Sequence, residues 1–397
     1  MPPEARMEMY RCSEHLAVER AGRDGVVIRD TSSGRRLRLG HPLYRFIRTF
    51  ERPRGLEEGA PAEACRFVRE MIGLGFLVPA ERPPREAPTS PGAARLFAAP
   101  PYDPDAPADF TFLGIPYDGG STAGGGARRG PEAIRAASRD LPYVLDRETC
   151  RPRGWFDEDA GTWILRGTTL SDRGNVVVRP GDDPARISDR ATAAAAELIA
   201  GGTVPIVLGG DHSITYAVLR AFTGRPLAIV HFDAHTDCSP YEAGREHHHG
   251  NVFSRVLTLP AIAALVQVGV RGFLSREAQA IGDARRVGLT PSVLRRIGME
   301  GVLAHVPPEV DVYVSLDVDV VDPASAPGTA TPRMNGLSVL EVRDLLVRIG
   351  EERRVVGGDL VEVNPDHDVN GMTALLAVDL ILAFLGAIAR RREAGRA

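Results

Sequence analysis

The sequence predicts a three-layer α/β/α domain on a mostly parallel sheet, preceded by a small α+β domain. Three observations carry this. Short unbroken apolar runs alternate with helical stretches through most of the chain, the pattern of strands buried on both faces. Residues 81–108 hold eight prolines and little periodicity, which marks a linker. The segment before it has its own run of short strand-like and helix-like stretches. The expected division is 1–80, a linker over 81–108, and a body over 109–397.

In the first segment, Leu16-Ala17-Val18, Gly25-Val26-Val27-Ile28 and Arg36-Leu37-Arg38-Leu39 read as strands. His41 to Phe50 and Pro61 to Leu74 read as helices, and Gly75-Phe76-Leu77-Val78 as a closing strand. In the body the strand runs are Phe110–Gly114, Val204–Leu208, Leu227–Val230, Leu265–Val270, Val312–Leu316 and Val355–Val361. Asp183 caps an Ala-rich helix that has Pro184 in its first turn and runs to Ala200. Met372 to Ala389, the most apolar stretch, carries Asp379 in its middle and is slightly short for a bilayer, so it reads as a packed C-terminal helix.

Composition narrows the class. Of 397 residues 43% are hydrophobic, enough for a real core, and a net charge of -4 gives no footprint for nucleic acid. Met1 to His15 has no apolar stretch of the signal-peptide kind. The four cysteines, Cys12, Cys65, Cys150 and Cys238, are far apart and form no zinc-type pair. Free thiols, a cytoplasmic location and no membrane or nucleic-acid partner are expected.

Four strand ends carry the chemistry. They are Gly209-Gly210-Asp211-His212-Ser213, His231-Phe232-Asp233-Ala234-His235-Thr236-Asp237, Ser315-Leu316-Asp317-Val318-Asp319-Val320-Val321-Asp322-Pro323 and Asp359-Leu360-Val361-Glu362-Val363-Asn364-Pro365. Alone, an Asp at a strand end is usually a cap or turn residue. Together the groups differ: Asp233, His235 and Asp237, and likewise Asp317 and Asp319, have the i, i+2 spacing that puts side chains on one face of a strand. So many like groups on one face repel or stay unsatisfied without a cation. Oxygen-rich ligation with a little imidazole suits Mn²⁺ better than Zn²⁺, and two such ions can acidify a water to act at neutral pH.

These motifs, in this order, resemble the ureohydrolase family of arginases, agmatinases and guanidino-acid hydrolases. The resemblance runs from Phe110 to the C-terminus. It is reinforced by Gly114-Ile115-Pro116-Tyr117-Asp118, Gly126-Ala127-Arg128-Arg129-Gly130-Pro131, Gly269-Val270-Arg271 and Pro327-Gly328-Thr329. It implies an arginase-like fold and a pair of Mn²⁺ ions. The first would be held by His212, Asp233, Asp237 and Asp317, and the second by His235 and Asp319, with Asp233 and Asp317 shared. Glu362 would bind the guanidinium, Asp237 would relay a proton, Thr331 would lie near the substrate, and His249 would shuttle the proton to the departing amine. His247 and His248 stand beside His249, and the sequence leaves open which of the three faces the cleft. Ala330 replaces the family's usual Gly. Homo-oligomers are expected from the same resemblance.

Free-arginine arginases hold the amino-acid end of their substrate with polar loop residues. At the matching places this chain has Cys238-Ser239-Pro240-Tyr241, Arg245-Glu246-His247-His248 and Gly272-Phe273-Leu274, so free arginine is not the expected substrate. Residues 8 to 80 resemble a RiPP recognition element, the PqqD-like winged-helix domain that captures leader peptides by strand addition. The first reading is therefore hydrolysis of peptidyl arginine to ornithine in a ribosomally made precursor peptide, recognised through its leader. The alternatives are an agmatinase or guanidino-acid hydrolase acting on a free small guanidine, and a non-catalytic binding protein on the same fold.

Overall fold

The computed structural model describes residues 10–12, 16–22, 25–30, 36–51, 64, 67–68, 71, 77–79, 94–146, 149, 151–179, 181–240, 247–272 and 282–395. The chain divides into two compact units, Met1–Ala93 and Ala94–Ala397.

In the first unit β2 (Leu16–Gly22), β3 (Gly25–Asp30) and β4 (Arg36–Leu39) form an antiparallel sheet in sequence order, followed by the helix His41–Arg48. A strand that the sequence did not announce, β1 (Tyr10–Cys12), pairs antiparallel with β5 (Leu77–Pro79). Val26, Ile28, Leu39, Ile47, Phe50, Val68, Met71 and Leu77 are its buried core. Most of the expected helix over 61–74, Gly75 and Phe76, residues 81–93 of the linker, Cys65 and Cys150 lie outside the described residues.

The second unit is the expected three-layer α/β fold. Its strands are β6 (Phe110–Ile115), β9 (Leu170–Asn175), β10 (Val204–Gly209), β11 (Leu227–Phe232), β12 (Ile262–Val268), β13 (Arg286–Leu289), β14 (Asp311–Asp317) and β15 (Val355–Val361). They form one sheet in the order β13-β12-β11-β14-β15-β10-β6-β9, parallel at every pairing. A minor ribbon, β7 (Trp155–Asp157) with β8 (Thr162–Ile164), stands apart.

Alternate residues of the central strands enter two separate cores. Ala228, Val230, Val312 and Val314 face one, and Leu227, Ile229 and Tyr313 the other. Both faces are covered by helices, so the strands must be apolar throughout. Asp183 accepts a hydrogen bond from the Arg186 backbone N–H and caps the helix Pro184–Ala200, as its sequence predicts. The helix Met372–Ala394 is long and apolar enough to cross a membrane, but 83% of its apolar window is buried inside the protein, which makes it a core helix here.

Sheet order sets the site. β10 and β11 are consecutive in the chain yet not neighbours, because β14 and β15 fill the gap between them. In open parallel sheets such a switch leaves a crevice beyond the carboxyl ends of the strands. The ends of β10, β11, β14 and β15 carry the four motifs.

Candidate metal centre

Gly210 opens the turn after β10. A Cβ there would lie 1.7 Å from the Tyr117 carbonyl oxygen, so only glycine lets the two loops touch. The backbone N–H of Asp211 donates to that same oxygen at 2.8 Å, and the N–H of Glu362 donates to the Gly210 carbonyl at 2.9 Å. The loops after β6, β10 and β15 are thereby tied together at the base of the crevice.

His212 follows and is fully buried. Its Nδ1 lies 3.2 Å from Asp233 Oδ2, 3.3 Å from Asp237 Oδ2 and 3.4 Å from Asp317 Oδ2. A second group stands beside it: His235 Nδ1 lies 3.4 Å from Asp233 Oδ1 and 3.0 Å from Asp319 Oδ2. Asp233 thus gives one oxygen to each group. All six residues expected as ligands are brought together in this way. Asp237 and Glu362 have left-handed backbones (φ 47° and 63°), conformations that non-glycine residues occupy at a cost of order 1–3 kcal/mol and that cluster at functional sites.

Hydrogen-bond polarity tests whether these residues suit a cation. Asp359 accepts from Ser315 Oγ at 2.7 Å and from the Tyr313 hydroxyl at 2.8 Å. Ser315 has one proton and gives it to Asp359, so its oxygen accepts from His212 Nε2–H at 2.9 Å. A neutral His212 then turns a bare Nδ1 lone pair on three carboxylates, and that buried nitrogen has no hydrogen-bond partner. Only a proton or a metal cation reconciles such a cluster. Burial and neighbouring carboxylates push Asp317 well above the usual carboxylate range and Asp319 up to about 6. Burial also opposes charge on Asp233, but His231, His212 and His235 outweigh it and hold this group well below that range. Oxygen-rich, imidazole-poor donors of this kind fit Mn²⁺.

Next to the carboxylates stands the pair His249–Glu362. Of the three consecutive histidines, His249 is the buried one, and its Nδ1 lies 3.0 Å from Glu362 Oε1. In the neutral ring Nε2 accepts from the Thr122 backbone N–H at 3.1 Å and the proton on Nδ1 is donated to Glu362; in the imidazolium Nε2–H instead donates to the Thr122 hydroxyl at 2.8 Å. Burial opposes the imidazolium, but Glu362 outweighs burial and raises His249 to about 9. Glu362 Oε1 also accepts from the His212 backbone N–H at 2.9 Å, while Oε2 is buried and has no partner. One oxygen is anchored and the other is left for a ligand. Asp211, between these loops, accepts from Gly120 N–H at 2.7 Å and is raised to about 7 by burial and by Glu362.

Thr331 Oγ1 lies 3.4 Å from Asp319 Oδ2. Its loop is held by Arg271, whose guanidinium donates to the carbonyls of Asp319 and Arg333, each at 2.7 Å, and of Met334 at 3.1 Å. The loop also carries Arg333, an exposed residue whose Nε lies 3.2 Å from His235 Nε2. Tyr241, Arg245, Glu246, Phe273 and Leu274, which stand where arginases hold the amino-acid end of arginine, lie outside the described residues. The sequence reading quoted Ser315, Asp359 and His231 within the strand-end motifs but gave them no role, and it missed Thr122. The signal for His231 and Ser315 was present: each is a polar residue in an apolar strand, two positions before an expected ligand.

A sequence model described as "Arginase family" matches residues 108–386. The chain is 37% identical over 291 residues, 70% of its length and 88% of the relative's, to proclavaminate amidinohydrolase of Streptomyces clavuligerus. It is 34% identical over 313 residues, 76% of its length and 93% of the relative's, to guanidinopropionase of Pseudomonas aeruginosa. The crystal structure of a hypothetical agmatinase from Burkholderia thailandensis matches with a TM-score of 0.65 at 29% identity, covering 77% of this chain and 93% of that one. The likeness of residues 8–80 to a RiPP recognition element gains no support from these relatives.

Proposed function

Because the chain belongs to the arginase family of amidine hydrolases, we propose that it cleaves the guanidinium group of a free small guanidine to urea and an amine with two Mn²⁺ ions bound. The carrying observation is the meeting of two carboxylate–imidazole groups beside a glutamate with one unpartnered buried oxygen. His212, Asp233, Asp237 and Asp317 would hold one ion, and His235 and Asp319 the other, with Asp233 and Asp317 shared. Two divalent ions supply Lewis acidity and a water acidic enough to react at neutral pH.

The chain's own residues do the rest. Glu362 Oε2 pairs with the flat guanidinium, whose N–H fork matches a carboxylate. Oε1, pinned by His212 N–H and His249, keeps that carboxylate from turning. His249 would protonate the departing amine. Asp237 would take the proton released by the water. Water adds to the guanidinium carbon, the bond from that carbon to the alkyl-bearing nitrogen breaks as this nitrogen is protonated, and urea and an alkylammonium leave.

The relatives' names, proclavaminate amidinohydrolase and guanidinopropionase, favour a small free substrate over the peptidyl arginine expected from the sequence. Arg333 narrows the class further. Its cation beside His235 repels the ammonium tail of agmatine and attracts a carboxylate tail, which favours a guanidino acid. The test is urea release by the Mn²⁺-loaded chain from 3-guanidinopropionate, 4-guanidinobutyrate, agmatine, free arginine and an arginine-containing peptide. The expected order puts the guanidino acids first, and turnover of the peptide alone overturns the small-substrate reading. Asp233→Ala is expected to abolish both urea release and stoichiometric Mn²⁺ binding. Unchanged turnover in that variant overturns the metal reading.

A further inference from the structure

One pleat beneath the carboxylates lies a buried row that the reaction does not use. Gln267 of β12, His231 of β11, Ser315 of β14 and Asp359 of β15 sit opposite one another in register across four adjacent strands. All four are buried, in strands whose other residues are mostly apolar. His231 and Ser315 come two residues before Asp233 and Asp317, so they share a face with them.

The polarity of this row can be read without ambiguity. Arg286 Nε can only donate, and it donates to Gln267 Oε1. The Thr236 carbonyl can only accept, and it accepts from Gln267 Nε2 at 2.6 Å. These two partners fix the amide orientation, so the contact of Gln267 Nε2 with His231 Nδ1 at 2.9 Å is a donation to the ring. His231 Nδ1 is therefore an acceptor, and the ring proton is on Nε2, 2.8 Å from Asp233 Oδ2. The Phe253 ring, 4.0 Å away between centroids, covers one face of the imidazole. Although a nitrogen of His231 lies within 4.8 Å of ligand atoms of His212 and Asp233, both of its nitrogens are already committed, and it is no ligand.

We infer that His231 is a positioning residue: Gln267 fixes its tautomer, and its Nε2–H holds the Asp233 carboxylate in the orientation that gives one oxygen to each half of the metal centre. Asp233 is the carboxylate the two groups share, so a rotation of its plane disturbs both at once. Partners of this kind typically change metal affinity by about 10–100-fold when removed.

Two measurements on the full chain test this. The first uses metal-free protein with ¹⁵N-labelled histidine and reads the His231 tautomer from long-range ¹H–¹⁵N correlations. The expected result is a protonated Nε2 and a bare Nδ1, and a protonated Nδ1 overturns the inference. This arm does not depend on the proposed metal centre and can fail while that reading stands. The second titrates Mn²⁺ by electron paramagnetic resonance into the wild type, His231→Gln, His231→Met and Gln267→Leu. The Gln variant keeps a donor near the Nε2 position and is expected to bind close to the wild type. The Met variant keeps the bulk without the donor and is expected to bind about 10–100-fold more weakly. Gln267→Leu, which touches no ligand side chain but also gives up the Thr236 carbonyl, is expected to fall between them. Wild-type affinity in both His231→Met and Gln267→Leu overturns the role. If His231→Met does not fold, Gln267→Leu and the tautomer decide.

Discussion

Glu362 shows how one side chain is divided between structure and chemistry. Oε1 is spent on His212 N–H and His249, and Oε2 is kept free. Glu362→Gln retains an acceptor for the structural contacts but loses the charge that meets a guanidinium. A charged hydrogen bond is worth about 1.5–3 kcal/mol, so kcat/KM is expected to fall by roughly 10–150-fold while Mn²⁺ binding persists. Arg333→Met is expected to raise KM for 3-guanidinopropionate and lower it for agmatine, which steady-state kinetics on the two substrates will read. His249 gives a pH signature in the metal-free chain. Its folded pKa, about 9, lies above the ordinary 6.5. The stabilisation is therefore complete below about 6.5 and lost as pH rises through about 9, on the order of 3 kcal/mol at most. Denaturant midpoints of the metal-free chain should fall over that window, and Glu362→Gln should flatten the fall. Five of the six candidate ligands, Asp233, His235, Asp237, Asp317 and Asp319, stood out because such groups spaced i, i+2 at strand ends repel or stay unsatisfied unless a cation gathers them, whereas His212 entered through the family resemblance alone. His231 and Ser315 were overlooked because a lone His or Ser in a strand is ordinary, and their register with Gln267 and Asp359 exists only across the sheet.

At the level of strands and helices, the six apolar runs that the sequence marked all became strands of the parallel sheet. The two edge strands did not stand out. β9 reads Leu-Ser-Asp-Arg-Gly-Asn and β13 Arg-Val-Gly-Leu, short and polar where a central strand is unbroken and apolar. Edges are blunted by just such charged, short strands, so the feature that suits them to the rim hides them from a search for apolar runs. β9 also carries Asp172, buried and paired with Arg135 through two bonds, Nε at 2.8 Å and Nη2 at 2.9 Å. Asp172 accepts from the Leu96 backbone N–H as well, at 2.9 Å. Asp172→Ala would leave a buried guanidinium without its partner, and a loss of about 3–5 kcal/mol is expected from urea denaturation. A paired Arg135→Met, Asp172→Leu variant should recover much of that loss.

For the whole molecule, the sequence led us to expect a linker over 81–108, but the two compact units part at Ala93 and Ala94, and Leu96, Phe97 and Ala99 of that stretch are buried in the second unit because its prolines hid a short apolar turn. The substrate was less legible, because the first unit suggested a peptide while the relatives point to small guanidines. Metal and stability are linked across the second unit, since an ion that binds only the folded state adds RT ln(1 + [L]/Kd). Chelation is expected to lower Tm, and Mn²⁺ at 100 times its Kd to restore about 2.7 kcal/mol. A Tm indifferent to both treatments would contradict the proposed centre.

The strand order bears on how the enzyme is made. His212, Asp233, His235 and Asp237 leave the ribosome long before Asp317, Asp319 and Glu362, yet β10 and β11 stay apart until β14 and β15 are threaded between them. A nascent chain stalled before Val355 holds all six candidate ligands but lacks β15, the strand that stands between β14 and β10, whose end carries His212. On the proposed function, the complete set of ligands is therefore expected to close only after β15 is made, so that metal uptake would come late in biosynthesis.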